Sequence, residues 1–498
     1  METKDLSQAT LETIQAFQKA AQKPMGADEL RKAGISQATG LVYYDLQTPS
    51  KSLFPVLTPL RNSIPRVSGN GGTATNWIAV TGINTASLQG FVPEGRRNGV
   101  VTTAATPKSA SYKSLGMEDS VTFEAELAAM NLEDERARAA MRLLWATQIE
   151  EEFAILGANL SVALGKPTTP TLDVSAGTGL TGTFNVAVVP LSLQGYRASS
   201  LSGGIVAEVS VTSADGLGAF TYGGGAGKAS DTVSSGAITN KAIKATVPVV
   251  AGAVAYAWFV GTAGAEKLEA ITTINSAVFA ALAGTYQTLA AFVGTTDYSE
   301  NTNGFDGILY QAWTSGSNAD ITNQATGTPG TGTGLTGDGA GGITELNAMF
   351  LRMWNSYKLS PTRILANAQE VNNITNKVLS AGDSTKTVAR VQYVQTGDTG
   401  SGVRVTALLN RFAMGTAPMV PLELHPWIPA GTILAVTERL PYPINGIPNV
   451  MEMKLRRDYY QIDWPLRTRK YETGVYFDGV LAHYFPPSLG IITNIGNA

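Results

Sequence analysis

The run Leu41–Asn84, LVYYDLQTPSKSLFPVLTPLRNSIPRVSGNGGTATNWIAVTGIN, constrains this chain more than any other stretch. Pro49, Pro55, Pro59 and Pro65 break it too often for a helix or a central strand, because each fixes φ and removes a backbone donor. Tyr43, Tyr44, Leu53 and Phe54 nevertheless make it apolar. A long segment that is apolar but cannot fold on itself must lie against something else. The reading is an extended arm that ends near Arg66.

Composition points the same way. Charged residues are 15% of the 498, well below the usual share of about a quarter. Gly, Ala, Thr and Ser fill the difference, a profile of β-rich structure with large contact surfaces; a β-rich secreted protein is the competing reading. The net charge of −3 shows no basic excess of the kind a nucleic-acid reader carries. Cysteine is absent, which excludes disulfides and thiolate metal sites. The N-terminus is polar and amphipathic, so no signal peptide is expected, and no apolar run reaches the ~18 residues of a membrane span.

Along the chain, residues 5–22 and 27–33 have helical spacing, the first with Leu6, Thr10, Ile14, Phe17 and Ala21 on one stripe. Residues 67–127 read as a long two-stranded excursion: Thr75–Thr81 goes out, Gly90–Gly99 is the tip, and Ser109–Leu115 with Ser120–Leu127 return. Its tip carries Glu94, Arg96 and Arg97. Such a hairpin is marginal alone and needs a neighbour. A helix capped at Asn131 is expected to reach about Ala163, ~48 Å, with Met141, Leu144, Trp145, Ile149, Phe153 and Leu156 on its apolar face. Glu150, Glu151 and Glu152 in its middle read as a solvated or salt-bridged face.

From 167 to 271 short alternating runs such as FNVAVVPLSL and AVAYAWFVG suggest an inserted immunoglobulin-like sandwich of about seven strands. Tyr256 and Trp258 are assigned to opposite faces, leaving one of them central. Residues 272–440 read as an α/β layer. It has a flexible Gln324–Gly342 loop, helices over Ile343–Lys358 and Gln369–Leu379, and strands in PTRILA, VRVTALL and GTILAVTE. Residues 441–498 hold a long strand, Val450–Trp464, whose apolar parity switches at a bulge near Arg457–Tyr459.

Chemistry is scarce. Two GTGLTG words satisfy GxGxxG but lack the strand, helix and acid that nucleotide binding needs. His425 and His483 sit among apolar residues and read as packed, hydrogen-bonded side chains. No GxSxG elbow occurs. No enzyme, cofactor or metal site is expected.

The words YYDLQTPSKSLFPVLTPLRNSIPRV and GGTATNW resemble the start of the mature major capsid protein of tailed bacteriophages. The order of segments is similar to the Hong Kong 97 type capsid fold, an α+β fold. The resemblance assigns 1–66 to an N-terminal helix and arm, 67–127 to the extended loop and 128–166 to the spine helix of a peripheral domain. It makes 272–440 the axial domain and 441–498 the peripheral strand and tail, with 167–271 an insertion outside the minimal fold. It implies hexamers and pentamers of an icosahedral virion shell assembled in the host cytoplasm around double-stranded DNA. The DNA is contacted non-specifically; a portal and scaffolding or decoration proteins are further partners, and no membrane is. Inter-subunit contacts then fall on Glu94, Arg96 and Arg97, on the arm residues Tyr43, Tyr44, Leu53, Phe54 and Arg61, and on Lys454, Arg456 and Arg457. Lys108 and Lys113 lie on the returning hairpin, where some members cross-link, but no motif here supports that. The alternatives are an encapsulin-like compartment and a tail-tube protein.

Overall fold

The computed structural model describes residues 53–69, 71–83, 91–129, 133–292, 296–380, 404–413, 418–440 and 448–497. The expected helices over 5–22 and 27–33 and the arm residues Tyr43 and Tyr44 lie outside them. The chain divides into two compact units, Met1–Phe54 with Glu124–Glu135, and Pro55–Phe123 with Arg136–Ala498. The sheets lie in the second, and two helices, Phe123–Ala129 and Glu135–Gly157, cross the boundary in sequence.

A four-stranded sheet of long strands runs in the order Arg66–Ser68, Met451–Asp463, Lys470–His483, Lys113–Thr122. The first pair is parallel, with Arg66 opposite Met453, and the others are antiparallel. The strand expected at 450–464 is present, but its register shifts twice, between Leu455 and Arg457 and again between Arg457 and Tyr460. Two shifts restore parity where one would reverse it. Tyr459 therefore returns to the core side against Phe477, their ring centroids 5.6 Å apart, while Tyr460 stacks on Tyr476.

The excursion is shorter than expected. Ala74–Ile83 pairs with Thr103–Ser111, Trp77 facing Lys108. Lys113–Thr122 leaves the hairpin for the long sheet, and Phe123–Ala129 is a helix where a returning strand was expected. Glu, Ala and Leu favour that helix, and Glu124 and Glu126 stand in its first turn, where negative charge is stabilising.

The long helix spans Glu135–Gly157, about 35 Å, and stops short of Ala163. The loop at Asp306 takes over there: its carboxylate accepts the Leu160 and Ser161 amides at 2.8 and 3.0 Å. Met141, expected on the apolar face, is half exposed; the buried stripe is Ala139, Leu143, Thr147, Glu151 and Ile155.

Between the helix and the α/β layer lies a β module of two larger antiparallel sheets and a hairpin, Glu208–Thr212 with Ala219–Gly223. One sheet has four strands (Lys267–Thr272, Ala255–Gly261, Leu180–Leu191, Val233–Lys241) and the other three (Ser276–Phe279, Ile243–Thr246, Thr171–Asp173). It runs on to Phe279, beyond the expected 271. Tyr256 and Trp258 are both buried in the layer between the sheets, because residues two apart in a strand share a face. The four-stranded sheet is covered on its other face as well, where Ala187, Val189, Ala257 and Phe259 meet Ile205 and Leu289. A sheet buried on both faces gives the near-continuous apolar runs seen in the sequence. Leu193 and Val254 join the main core, so the module is welded to the body of this unit.

The α/β layer is a six-stranded mixed sheet ordered Asp320–Asn323, Leu489–Thr493, Ile433–Val436, Arg363–Ala366, Met419–Leu424, Ala407–Leu409. Helices Thr344–Tyr357 and Ala368–Ser380 accompany it within a residue or two of expectation. The chain's end is not wholly peripheral, since Leu489–Thr493 lies inside this sheet. The 324–342 segment is built rather than loose. Leu335 is buried, and Asp338 accepts the Ala340 and Gly342 amides at 2.8 and 2.7 Å and pairs with Arg411 at 2.8 Å. Those contacts hold the Asp338 carboxyl below its ordinary range although burial opposes the shift.

Candidate functional site: a carboxylate clasp and an unpacked hairpin

Two regions concentrate unusual chemistry, one closed and one open. The closed one begins at the glutamates of the long helix. Glu151 and Glu152 are fully buried, so of the solvated or salt-bridged alternatives the solvated one fails for them. Glu151 sits on the i, i+4 stripe that faces the core, so it must be neutralised there. Arg61 (Nε, 3.2 Å) and Arg66 meet it, and the Tyr459 hydroxyl donates to it. Arg66 also holds Asp458 at 2.7 Å. Burial lowers the Arg66 pKa, but Asp458 and Glu151 outweigh it and leave the guanidinium above its usual value. Asp458 is held below its own, burial opposing and Arg66 prevailing. Burial, together with the Glu151 charge, pushes the Tyr459 phenol well up.

Glu152 performs a different task. The short helix Pro59–Ser63 starts with proline at its first position and gets no side-chain cap from Thr58. Its orphan donors are met from outside: Glu152 accepts the Leu60 amide at 2.9 Å and the Arg61 amide at 2.6 Å. The same carboxylate lies 2.8 Å from His425 Nε2. His425 Nδ1 accepts the Trp427 amide at 3.3 Å, which assigns the ring proton to Nε2. Glu150, on the outer side, pairs with Arg197, whose guanidinium lies over Phe153 at 4.4 Å.

This clasp ties the end of the arm to the long helix and to the bulged strand of the same chain. Leu60 and Ile64 are core residues, and Arg61 pairs in-chain. The arm from Thr58 onward is therefore buried against its own chain. Leu53 and Phe54 are exposed. His425 beside a glutamate has the composition of a catalytic dyad, yet both side chains are wholly buried, so no substrate reaches them. Among the described residues no cluster of His, Cys, Asp or Glu could hold a metal. His483 is a packed residue too: Nε2 lies 3.1 Å from Ser488 Oγ, and burial lowers its pKa to about 3.

The three bases of the bulged strand also have in-chain partners. Lys454 pairs with Glu452 at 2.9 Å, Arg456 with Asp478 at 3.1 Å, and Arg457 lies 4.0 Å over the Tyr460 ring.

The open region is the hairpin. On its inner face Trp77 meets Tyr484 edge-on at 5.4 Å. A cleft of about 1230 Å³ remains between the hairpin base and the body, lined by Trp77, Lys108, Phe305, Gln311, Lys454 and Phe485 among others. Ile78 is 71% and Val80 63% exposed along the border of this cleft, and near the tip Phe91 is 98% and Val100 89% exposed. Glu94, Arg96 and Arg97 are exposed on the same loop. The backbone turns there through an Arg96 amide to Pro93 carbonyl bond of 3.0 Å and through Gly95 at φ +75°. At the hairpin base, Gly69 leaves no room for a Cβ against Tyr112, which seats the hairpin's root.

The sequence alone missed Arg66, Asp458 and Tyr459; of its reading of the glutamates as a solvated or salt-bridged face, the salt bridges hold for Glu150 and Glu151, and the burial of Glu151 and Glu152 was not foreseen. One signal was available. A charged residue that falls on the core stripe of an amphipathic helix needs a buried partner.

No family model matches this chain, and no curated protein matches its sequence. Among solved structures it is similar to the capsid of the Myoviridae phage XM1 (10% identity, TM-score 0.41, covering 93% of this chain and 99% of that one). It is also similar to the capsid of a native GTA particle (8%, 0.42, 92% and 98%). An encapsulin complex from Synechococcus elongatus is similar to the same degree (9%, 0.41, 96% and 98%). These are distant likenesses, and the functional reading rests on the chain's own residues.

Proposed function

We propose that this chain is the major capsid protein of a tailed bacteriophage, with a Hong Kong 97 type fold. It assembles as hexamers and pentamers into the icosahedral shell that encloses double-stranded DNA. The observation that carries the reading is the hairpin Ala74–Ser111. It projects Ile78, Val80, Phe91 and Val100 into solvent, and a two-stranded element with this much exposed apolar surface needs an outside partner. The arm words at Leu41–Asn84 resemble capsid subunits and supply the identity of that partner, another copy of the chain.

In this reading the clasp is the fixed frame of each subunit, and Glu94, Arg96, Arg97, Leu53 and Phe54 meet neighbours. Lys454, Arg456 and Arg457 are secondary contacts, since each already has a partner in its own chain. The β module is an immunoglobulin-like addition on the outer surface. DNA is held as contents, without specific recognition, and the portal and any scaffolding or decoration protein complete the particle. The particle forms in the host cytoplasm.

An encapsulin-like compartment is the second reading, and the phage-type arm words together with the β module argue against it. Electron microscopy of the purified chain, alone and co-expressed with its scaffold, tests both. Closed shells that carry DNA in the virion support the first. Shells loaded with an enzyme support the second, and tubes or monodisperse monomer under every condition overturn both.

A further inference from the structure

The hairpin tip carries an asparagine–glycine pair, Asn98–Gly99, exposed and outside any regular element. The Gly99 amide donates to Asn98 Oδ1 at 2.8 Å, so the carboxamide is curled over the peptide nitrogen that follows it. That contact places the side-chain carbon beside a nucleophile-to-be, and glycine has no Cβ to obstruct the approach. Asn303–Gly304 is a second pair in an exposed turn, with a different geometry. There the Gly304 amide donates to the Asn301 carbonyl at 3.1 Å, and the Asn303 amide to Asn301 Oδ1 at 3.0 Å. Its nitrogen is engaged by the backbone and turned away from the side chain. The other two such pairs have their asparagines, Asn70 and Asn445, outside the described residues.

We infer that Asn98 is a site of spontaneous covalent modification, a slow charge switch at the tip of the hairpin. Gly99 N loses its proton and attacks Asn98 Cγ. The new C–N bond closes a five-membered imide, the Cγ–Nδ2 bond breaks, and the proton leaves with ammonia. Water then opens the imide to aspartate or to isoaspartate, which carries an extra backbone methylene. Asparagine is a thermolabile residue in general, and here local geometry selects one of several. Before the change Glu94 opposes Arg96 and Arg97, a sum of +1; the new carboxylate brings the tip to zero. The effect on docking rests on the proposed function, because it needs a neighbour that reads the tip's charge. The modification itself does not.

The test follows the intact purified chain over several days at mildly alkaline pH. Trypsin cuts after Arg97 and Lys108, so Asn98 and Asn303 fall in separate peptides. The expected result is a one-dalton gain at Asn98 at least about tenfold faster than at Asn303, with the two rates converging in denaturant. Asn98→Gln removes the gain from that peptide. Equal rates in the folded chain, or no conversion at Asn98, overturn the proposal. Comparing free with assembled subunits separates the two claims: full-rate conversion inside shells contradicts a docked tip while leaving the modification standing.

Discussion

The clasp and the hairpin are built from opposite strategies. In the clasp, Glu151 and Glu152 are buried in the last two turns of a helix, and charged or hydrogen-bonded groups of the same chain surround them: Arg61, Arg66, Tyr459, His425 and two backbone amides. In the hairpin, apolar side chains of a two-stranded ribbon stand in solvent. The clasp carboxylates are paired within the chain, and the apolar surface of the hairpin is not covered by it. In the proposed function, a subunit that must stay rigid while its contacts form and break needs both. The proline-rich run 41–84 contributes to each, since its end feeds the clasp and its last strand starts the hairpin.

The largest effect should appear in assembly and not in folding. Ile78→Asp with Val80→Asp is expected to abolish shells while the unfolding free energy of the monomer stays within about 0.5 kcal/mol of the parent, as for an exposed substitution. Electron microscopy and denaturant titration of one preparation check both halves. A large loss of monomer stability would mean that Ile78 and Val80 already have an in-chain partner.

The clasp should behave in reverse. Glu152→Ala leaves the Leu60 and Arg61 amides and His425 without their acceptor, and the expected loss is about 3–5 kcal/mol, read by chemical denaturation. A truncation carried through Arg66 would remove clasp residues along with the arm, so a deletion meant to test the arm must stop before Thr58.

Acid should separate the regions as well. Burial keeps His483 neutral, with a folded pKa of about 3 against 6.5 unfolded. A basic group lowered in this way contributes stability that is complete above 6.5 and is lost as pH falls toward 3. Asp458, lowered by Arg66, adds a loss at the acid end, below the unfolded carboxylate pKa of about 3.9. His483→Gln should flatten the decline between about pH 6 and 4, seen as a urea midpoint that changes less with pH. An unchanged slope would assign the acid sensitivity elsewhere. The smallest effect belongs to Arg457→Ala, about 0.5–1 kcal/mol for the lost contact with the Tyr460 ring.

Much of the framework was legible because its signals are local. The helices near 344–357 and 368–380 and the strands at 363–366 and 433–436 follow from apolar spacing and turn residues within a window. The long strand's irregularity was legible at Arg457–Tyr459; its doubling, which restores the parity the sequence suggested was switched, was not, because register belongs to the partner strand. The clasp was least legible. Glu152's partners lie about ninety residues before it and 273 after it, and no local pattern encodes such a meeting. The 324–342 segment misled for a related reason: its glycine and threonine content suits a linker, yet Asp338 and Leu335 anchor it to elements distant in sequence.

The central claim is that the hairpin's missing partner is another copy of this chain. Sedimentation velocity with electron microscopy on the full-length protein, parent beside the Ile78→Asp/Val80→Asp variant, tests it most directly. The account predicts closed shells from the parent and folded, unassembled subunits from the variant. Shells of equal yield and size from both would contradict it.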